Sequence, residues 1–550
     1  MARKSGKVSR LQWIEEIDAF LNRHPGWFFA LLGLLALGGI GLMLAVTPHG
    51  IGLVNDSVGY VAGARNLLAG NGYSRLTGDG SPVPITNFPP MFSFVLAGIG
   101  LTGLDGIPAA HGLNVILMGV NVFLIGLAVR RATRSQVLAL MGGLIFLISD
   151  PVIRSHSFAM TEPLYLAVVF GMLFCLDAGL RTRKWGWLAA SGFVASLAFL
   201  TRYVGISLYA LGVAALLVLH PEPQADRMLW PRRIRDLLIF LAAGVPLVAV
   251  WLGRNYFASS NLGNRQLIYH AIPAEKVRFG LLNFWGWLLP ESGGFVEKLL
   301  PFWGGLLAVI LLGLAAGAVL AGLRELRRMP SGLDEGTGRF TWLSALQALS
   351  YLAVLLLSMM FLDASPIFED RTLVLVQTPL IVLGMAALHW LWQRRLNWMR
   401  WAVALLTILL LLFLTEDSLD AVRELRWDGQ GFAHSAIQES RLIAAAQDLP
   451  DEMLLYSNRV TALYIVAGLP AYVLPSPMNP ATSLPREGYE QDLANIRQRV
   501  LEGKAAMVIF NYRGLQADPE DADWMEDLTV GMPLLGEYDD GAIFGVLGKN

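Results

Sequence analysis

The chain has 550 residues, 55% of them hydrophobic and only 15% charged, with a formal net charge of -1. That balance excludes a soluble enzyme, and the lack of any basic tract or aromatic–basic stripe excludes a nucleic-acid partner. A single cysteine, Cys175, excludes both a disulfide framework and a thiolate metal site.

Residues 1–25 are a basic N-terminus with Arg3, Lys4, Lys7 and Arg10. The apolar run at about 26–46 is followed by no small-residue cleavage site, so it reads as an uncleaved anchor. Beyond it lies a Gly- and Pro-rich loop, about 47–110, opened by Asn55-Asp56-Ser57-Val58-Gly59-Tyr60. Within that loop, Pro89-Pro90-Met91 to about Leu104 is short, starts with two prolines and contains Gly98, Gly100 and Gly103. It reads as an interfacial or re-entrant helix rather than a span. Further apolar blocks occupy about 111–129, 136–150, 160–180, 186–201, 204–219, 236–256, 301–323, 341–362, 372–392 and 399–415. Blocks of roughly 17–25 residues span about 30 Å of hydrocarbon, and together these predict about eleven transmembrane helices.

Charge orients them. Arg130-Arg131 with Arg134, then Arg181, Arg183 and Lys184, then Arg227 with Arg232, Arg233 and Arg235 follow alternate spans. So do Arg324, Arg327 and Arg328, and Arg394-Arg395 with Arg400. With the basic N-terminus they fall on one side, as the positive-inside rule requires of the cytoplasm. The predicted map has the N-terminus inside and the C-terminus outside.

After about Glu416 the apolar runs shorten to strand length: Met453–Tyr456, Ala471–Leu474, Ala506–Phe510 and Ala542–Leu547. Helix-like stretches at about Ser435–Leu449 and Glu490–Leu501 lie between them, so 416–550 is expected to be a small extracytoplasmic α/β domain. Its acidic run Asp518–Asp527 reads as a solvated helix face.

On this map several charges collect at the outer ends of different helices: Asp56, Glu162, Arg202, Arg254 and the Glu369-Asp370-Arg371 run. Charges near the hydrocarbon are costly, so acids and arginines at one depth imply a shared polar cavity opening outward. Arginine offers a fixed fork of donors to a phosphate that gains charge as it leaves. A carboxylate beside an acceptor hydroxyl can take its proton. Nucleotide sugars are not generally available outside, so this pairing suits a lipid-phosphate donor.

The motif order resembles the GT-C superfamily, in particular bacterial relatives of the protein O-mannosyltransferases and of the lipid A aminoarabinose transferase. The matching residues are Asp56-Ser57-Val58-Gly59-Tyr60 running into Ala64–Ser74, then Pro89-Pro90, Thr161-Glu162-Pro163, Thr201-Arg202-Tyr203, Arg254-Asn255-Tyr256 and Asp370-Arg371. The resemblance spans about residues 20–415. It implies a GT-C-like transmembrane domain over 26–415 with Asp56 as catalytic base and Glu162 as assisting acid. Tyr60, Arg202, Arg254 and Arg371 are then expected around the substrate and the donor phosphate. It further implies an inverting glycosyltransferase of the cytoplasmic membrane, taking a sugar from a polyprenyl-phosphate-linked donor to a protein, lipid or polysaccharide acceptor. Ser57 departs from relatives that carry a second acid there, so no cofactor is expected and a divalent metal lacks support.

Plainer readings compete. Asp56 can cap a helix starting near Ser57, and Glu162 can complement the dipole of its own helix. Arg202 and Arg254 can snorkel to headgroups, Arg65 can lie on a solvated helix face, and Tyr60 can belong to an interfacial belt. The competing function is a non-catalytic lipid or sugar-lipid transporter, or an envelope-binding membrane protein. Against a transporter, the charges crowd the outer ends rather than the bilayer midplane.

Overall fold

The computed structural model describes residues 12–219, 229–262, 266–287, 337–362, 368–393, 397–478, 485–519 and 521–547. The chain divides into two compact units, residues 1–46 with 111–426 and residues 47–110 with 427–550.

The first unit is helical. Among the described residues, seven helices are long and apolar enough to cross a membrane: Pro25–Val46, Gly106–Thr133, Glu162–Thr182, Trp230–Ser259, Gly338–Phe361, Asp370–Gln393 and Trp398–Asp428. Hydrocarbon offers a backbone no hydrogen-bond partner, and a helix satisfies its own. The chain is a multi-pass membrane protein.

Seven is fewer than the expected eleven. Residues 136–150 fall in a bent pair, Gln136–Leu147 and Asp150–Ser157, angled by 58°. Pro151, which has no N–H, stands in the first turn of the second helix, so the backbone restarts there instead of running on. The runs at 186–201 and 204–219 are apolar helices of 17 and 13 residues, Trp185–Thr201 and Ile206–Val218. At 1.5 Å per residue even the longer reaches only about 25 Å. The run at 301–323 lies outside the described residues. Met91–Gly100 has 10 residues, about 15 Å of helix, and is too short to cross.

Trp185–Thr201 packs against both Glu162–Thr182 and Leu229–Ser259. Gly192 permits the second contact, since a Cβ there would stand 2.0 Å from the Phe240 carbonyl oxygen. Small residues at such crossings let membrane helices gain close dispersion contact. Buried charges tie other helices: Arg131 Nε lies 2.7 Å from Asp177, and Nη1 of the fully buried Arg339 lies 4.0 Å from its other oxygen.

In the second unit, residues 47–110 contribute the helix Asn55–Leu68, the hairpin β1 (Ser74–Leu76) and β2 (Pro82–Pro84), and the helix Met91–Gly100. The C-terminal part forms a five-stranded sheet from β3 (Leu454–Ser457), β4 (Tyr472–Val473), β5 (Ala505–Phe510), β6 (Leu534–Tyr538) and β7 (Gly541–Gly545), in the order β4-β3-β5-β7-β6. β3 runs parallel to β4 and β5, while β7 runs antiparallel to β5 and β6. Every residue of β5 is buried, and helix Tyr489–Leu501 lays Leu493, Ile496 and Val500 into the same core.

Helix Asn397–Asp428 continues through the domain boundary placed at 415/416. No Gly or Pro interrupts it before Gly429, so its polar last turns extend the helix. Residues 47–110 and the C-terminal part join at Leu53, whose carbonyl accepts from Phe432 N–H at 2.8 Å. Gly431 makes this approach: its φ is +54°, and a Cβ would meet the Leu53 oxygen at 2.0 Å.

Candidate active site

Asp56 is the second residue of helix Asn55–Leu68, and Val54 is the N-cap. The plain capping reading therefore fails in detail: the helix begins two residues before Ser57. Ser57 instead accepts from the Val54 N–H at 3.1 Å and is fully buried. Asp56 is half-buried on the wall of a cavity of about 860 Å³, a size typical of small-ligand sites. Other walls come from the β1–β2 hairpin, through Arg75 and Gly78, and from the C-terminal part, through Arg459, Tyr464 and Tyr472. Thr461 Oγ1 donates to Asn55 Oδ1 at 2.6 Å, joining the short helix Val460–Ala462 after β3 to the residue beside Asp56.

Two neighbours differ from expectation. Tyr60 is 5% exposed and packs on Phe88 and Phe92, with ring centroids at 5.0 and 5.5 Å. It supports the helix from behind and is not among the cavity-lining residues. Arg65 is not a plain solvated side chain. Its Nε and Nη2 donate to both oxygens of Asp105 at 2.8 Å, and its guanidinium lies 5.7 Å from the Tyr464 ring centroid. The Arg65 hydrogen bonds hold the Asp105 carboxyl down at about 2, against an ordinary 3.8. A depressed carboxyl stabilises the fold above its unfolded pKa and loses that contribution as pH falls through the folded value. Wild type is therefore expected to unfold at a higher temperature than Asp105→Asn near neutral pH. The gap should shrink below about pH 4 and close near pH 2. A gap of constant size across that range would show that the ion pair contributes nothing.

The first unit holds a second constellation. Glu162 opens helix Glu162–Thr182 with Pro163 behind it. Its side chain is 1% exposed, and Oε1 lies 2.6 Å from Arg202 Nη1. The same Nη1 donates to Thr161 Oγ1 at 2.9 Å. Arg202 directly follows helix Trp185–Thr201 and is the more exposed partner, at 20%. The Tyr203 hydroxyl accepts from Trp251 Nε1 at 3.3 Å and Asn255 Nδ2 at 3.4 Å. The Thr-Arg-Tyr and Arg-Asn-Tyr motifs are thus joined. Arg254 lies 5.2 Å from the Trp251 ring centroid and donates to Asn255 Oδ1 at 3.0 Å. Arg371 pairs locally with Glu369 at 2.8 Å. Among the described residues, no three His, Cys, Asp or Glu side chains are grouped to hold a metal.

Residues 87–252 match the family model described as dolichyl-phosphate-mannose-protein mannosyltransferase. The crystal structure of ArnT from Cupriavidus metallidurans bound to undecaprenyl phosphate aligns with a TM-score of 0.50 at 17% identity, over 96% of this chain and 99% of that one. The chain has a GT-C glycosyltransferase fold. The apo form of the same ArnT aligns at 0.51 and 16% identity, over 96% of this chain and 100% of that one. A third similar structure is the archaeal oligosaccharyltransferase AglB from Archaeoglobus fulgidus, in complex with an inhibitory peptide and a dolichol-phosphate. It aligns at 0.49 and 12% identity, over 91% of this chain and 72% of that one. No curated protein matches by sequence. The GT-C fold accounts for the helical architecture, and the chemistry rests on the residues described above.

Proposed function

We propose that this protein is an inverting glycosyltransferase that moves a sugar from a polyprenyl-phosphate-linked donor to an acceptor at the outer face of the cytoplasmic membrane. The observation that carries this reading is the position of Asp56 on the wall of a ligand-sized cavity. In the proposed reaction Asp56 takes the proton of the acceptor hydroxyl as its oxygen attacks the anomeric carbon from the face opposite the leaving phosphate. One displacement inverts that carbon, and the donor leaves as polyprenyl phosphate. Arg202 and Arg254 are assigned to the leaving phosphate, where a fixed guanidinium counters developing charge. Glu162 acts through Arg202 as its buried counter-ion. The ArnT structure, with undecaprenyl phosphate bound to the same fold, supports a lipid-phosphate donor.

The test uses the full chain reconstituted in liposomes with a panel of polyprenyl-phosphate sugars. Mass spectrometry should find free polyprenyl phosphate and a glycosylated acceptor in matching amounts. A transporter would move the lipid with its glycosidic bond intact, and that outcome would replace this reading.

A further inference from the structure

The second unit contains two arginines that its other interactions do not explain. Arg65, Arg486 and Arg513 each lie 2.7–2.8 Å from a carboxylate. Arg75 and Arg459 also line the Asp56 cavity, are exposed, and meet no carboxylate among the described residues. Unlike a solvated surface arginine, each rises from a held backbone. Arg75 sits in β1 opposite Val83, and the adjoining Gly78 lies against the Tyr472 ring, which a Cβ would approach to 2.4 Å. Arg459 is bracketed. On one side Asn458 exchanges two 2.9 Å hydrogen bonds with the backbone of Phe510 at the end of β5. On the other, Thr461 is bonded to Asn55.

The sheet topology points to the same place. The chain leaves β3 toward β4 on one side and returns to β5 on the other. Parallel strands that diverge in this way leave a crevice outside their carboxyl ends, where open α/β sheets bind ligands. Asn458 and Arg459 follow the carboxyl end of β3 and line the Asp56 cavity with Tyr472 and Val473 of β4, so the cavity reaches the β3 rim of that crevice.

We infer that the C-terminal sheet forms the acceptor wall of the Asp56 cavity, and that the acceptor carries a phosphate or carboxylate clamped between Arg75 and Arg459. This rests on reading Asp56 as the transfer site. Both guanidinium groups line the cavity without a carboxylate partner among the described residues, and charge-assisted arginine hydrogen bonds favour an oxyanion over a neutral hydroxyl. Tyr464 and Tyr472 line the same cavity.

The probes are N-acetylglucosamine 1-phosphate and its neutral parent sugar, bound to the full-length protein in phosphatidylcholine nanodiscs with and without undecaprenyl phosphate. The phosphorylated probe should bind about tenfold more tightly than the neutral one. Arg75→Gln and Arg459→Gln should each remove most of that margin, the lysine variants should keep part of it, and Asp56→Asn should keep all of it. Among the described residues neither arginine has an ion-pair partner to lose, so unfolding midpoints should stay at the wild-type value. Equal binding of the two probes, or no effect of either Gln variant, overturns the clamp. If the Gln variants weaken undecaprenyl phosphate but not the sugar phosphate, these arginines serve the donor and the acceptor assignment fails. Arginine-dependent probe binding by a protein that transfers no sugar would instead defeat the transferase reading and leave the anion site standing.

Discussion

Replacing Asp56 with asparagine is expected to lower the rate of sugar transfer by about 10²–10⁴-fold, the usual worth of a positioned general base. The amide keeps the size of the carboxylate but cannot take the acceptor proton. Folding should hardly change. An acid in the first helical turn contributes about 0.3–1 kcal/mol through the helix dipole, and Val54, not Asp56, is the N-cap. Donor binding should also survive, because the lipid phosphate is assigned to Arg202 and Arg254. The loss should therefore fall on kcat, with KM for the polyprenyl-phosphate sugar close to wild type. Single-turnover transfer by the purified variant in liposomes is the measurement. A variant with an unchanged unfolding midpoint and wild-type transfer would remove Asp56 from the chemistry.

Legibility in the sequence tracked how local the causes were. Apolar runs long enough to fill a bilayer announced their helices, because nothing but a helix satisfies a backbone in hydrocarbon. The break between Leu147 and Asp150 goes with one proline, Pro151, just past the end of such a run. Strand β6 escaped notice because Leu534-Leu535-Gly536-Glu537-Tyr538 does not alternate cleanly, and its pairing with β7 slips between Leu534 and Gly536. For the site, the sequence marked Asp56, Glu162 and Arg202 as charges out of place, but their partners are set by tertiary packing. Glu162 and Arg202 are 40 positions apart, and Arg65 and Asp105 also 40. Nothing in the sequence around Arg459 sets it apart from a surface cation. Only the bonds from Asn458 to Phe510 and from Thr461 to Asn55 show that it faces the cavity. Asp177 had a local signal, an acid near the end of an apolar run, and its pairing with Arg131 shows what that signal meant.

Glu162→Gln is expected to cost about 3–5 kcal/mol of stability, because removing one member of a buried ion pair leaves the other uncompensated. Glu162 is 1% exposed and 2.6 Å from Arg202, so solvent screens this pair little. A fall in activity from that variant alone would not separate a structural role from a chemical one. The double variant Glu162→Met with Arg202→Met does. Replacing both members of a buried pair with apolar groups of similar volume is often neutral or stabilising, so its unfolding midpoint should recover much of the loss. Its transfer should not recover, since the guanidinium assigned to the leaving phosphate is gone. KM for the donor should rise and kcat fall together, because that contact is made in the ground state and strengthens as the phosphate leaves. Arg202→Lys, which keeps the charge but not the fork, should fall between wild type and the double variant. A double variant that regains both stability and transfer would reduce the Glu162–Arg202 pair to a helix staple and leave the donor phosphate to other residues.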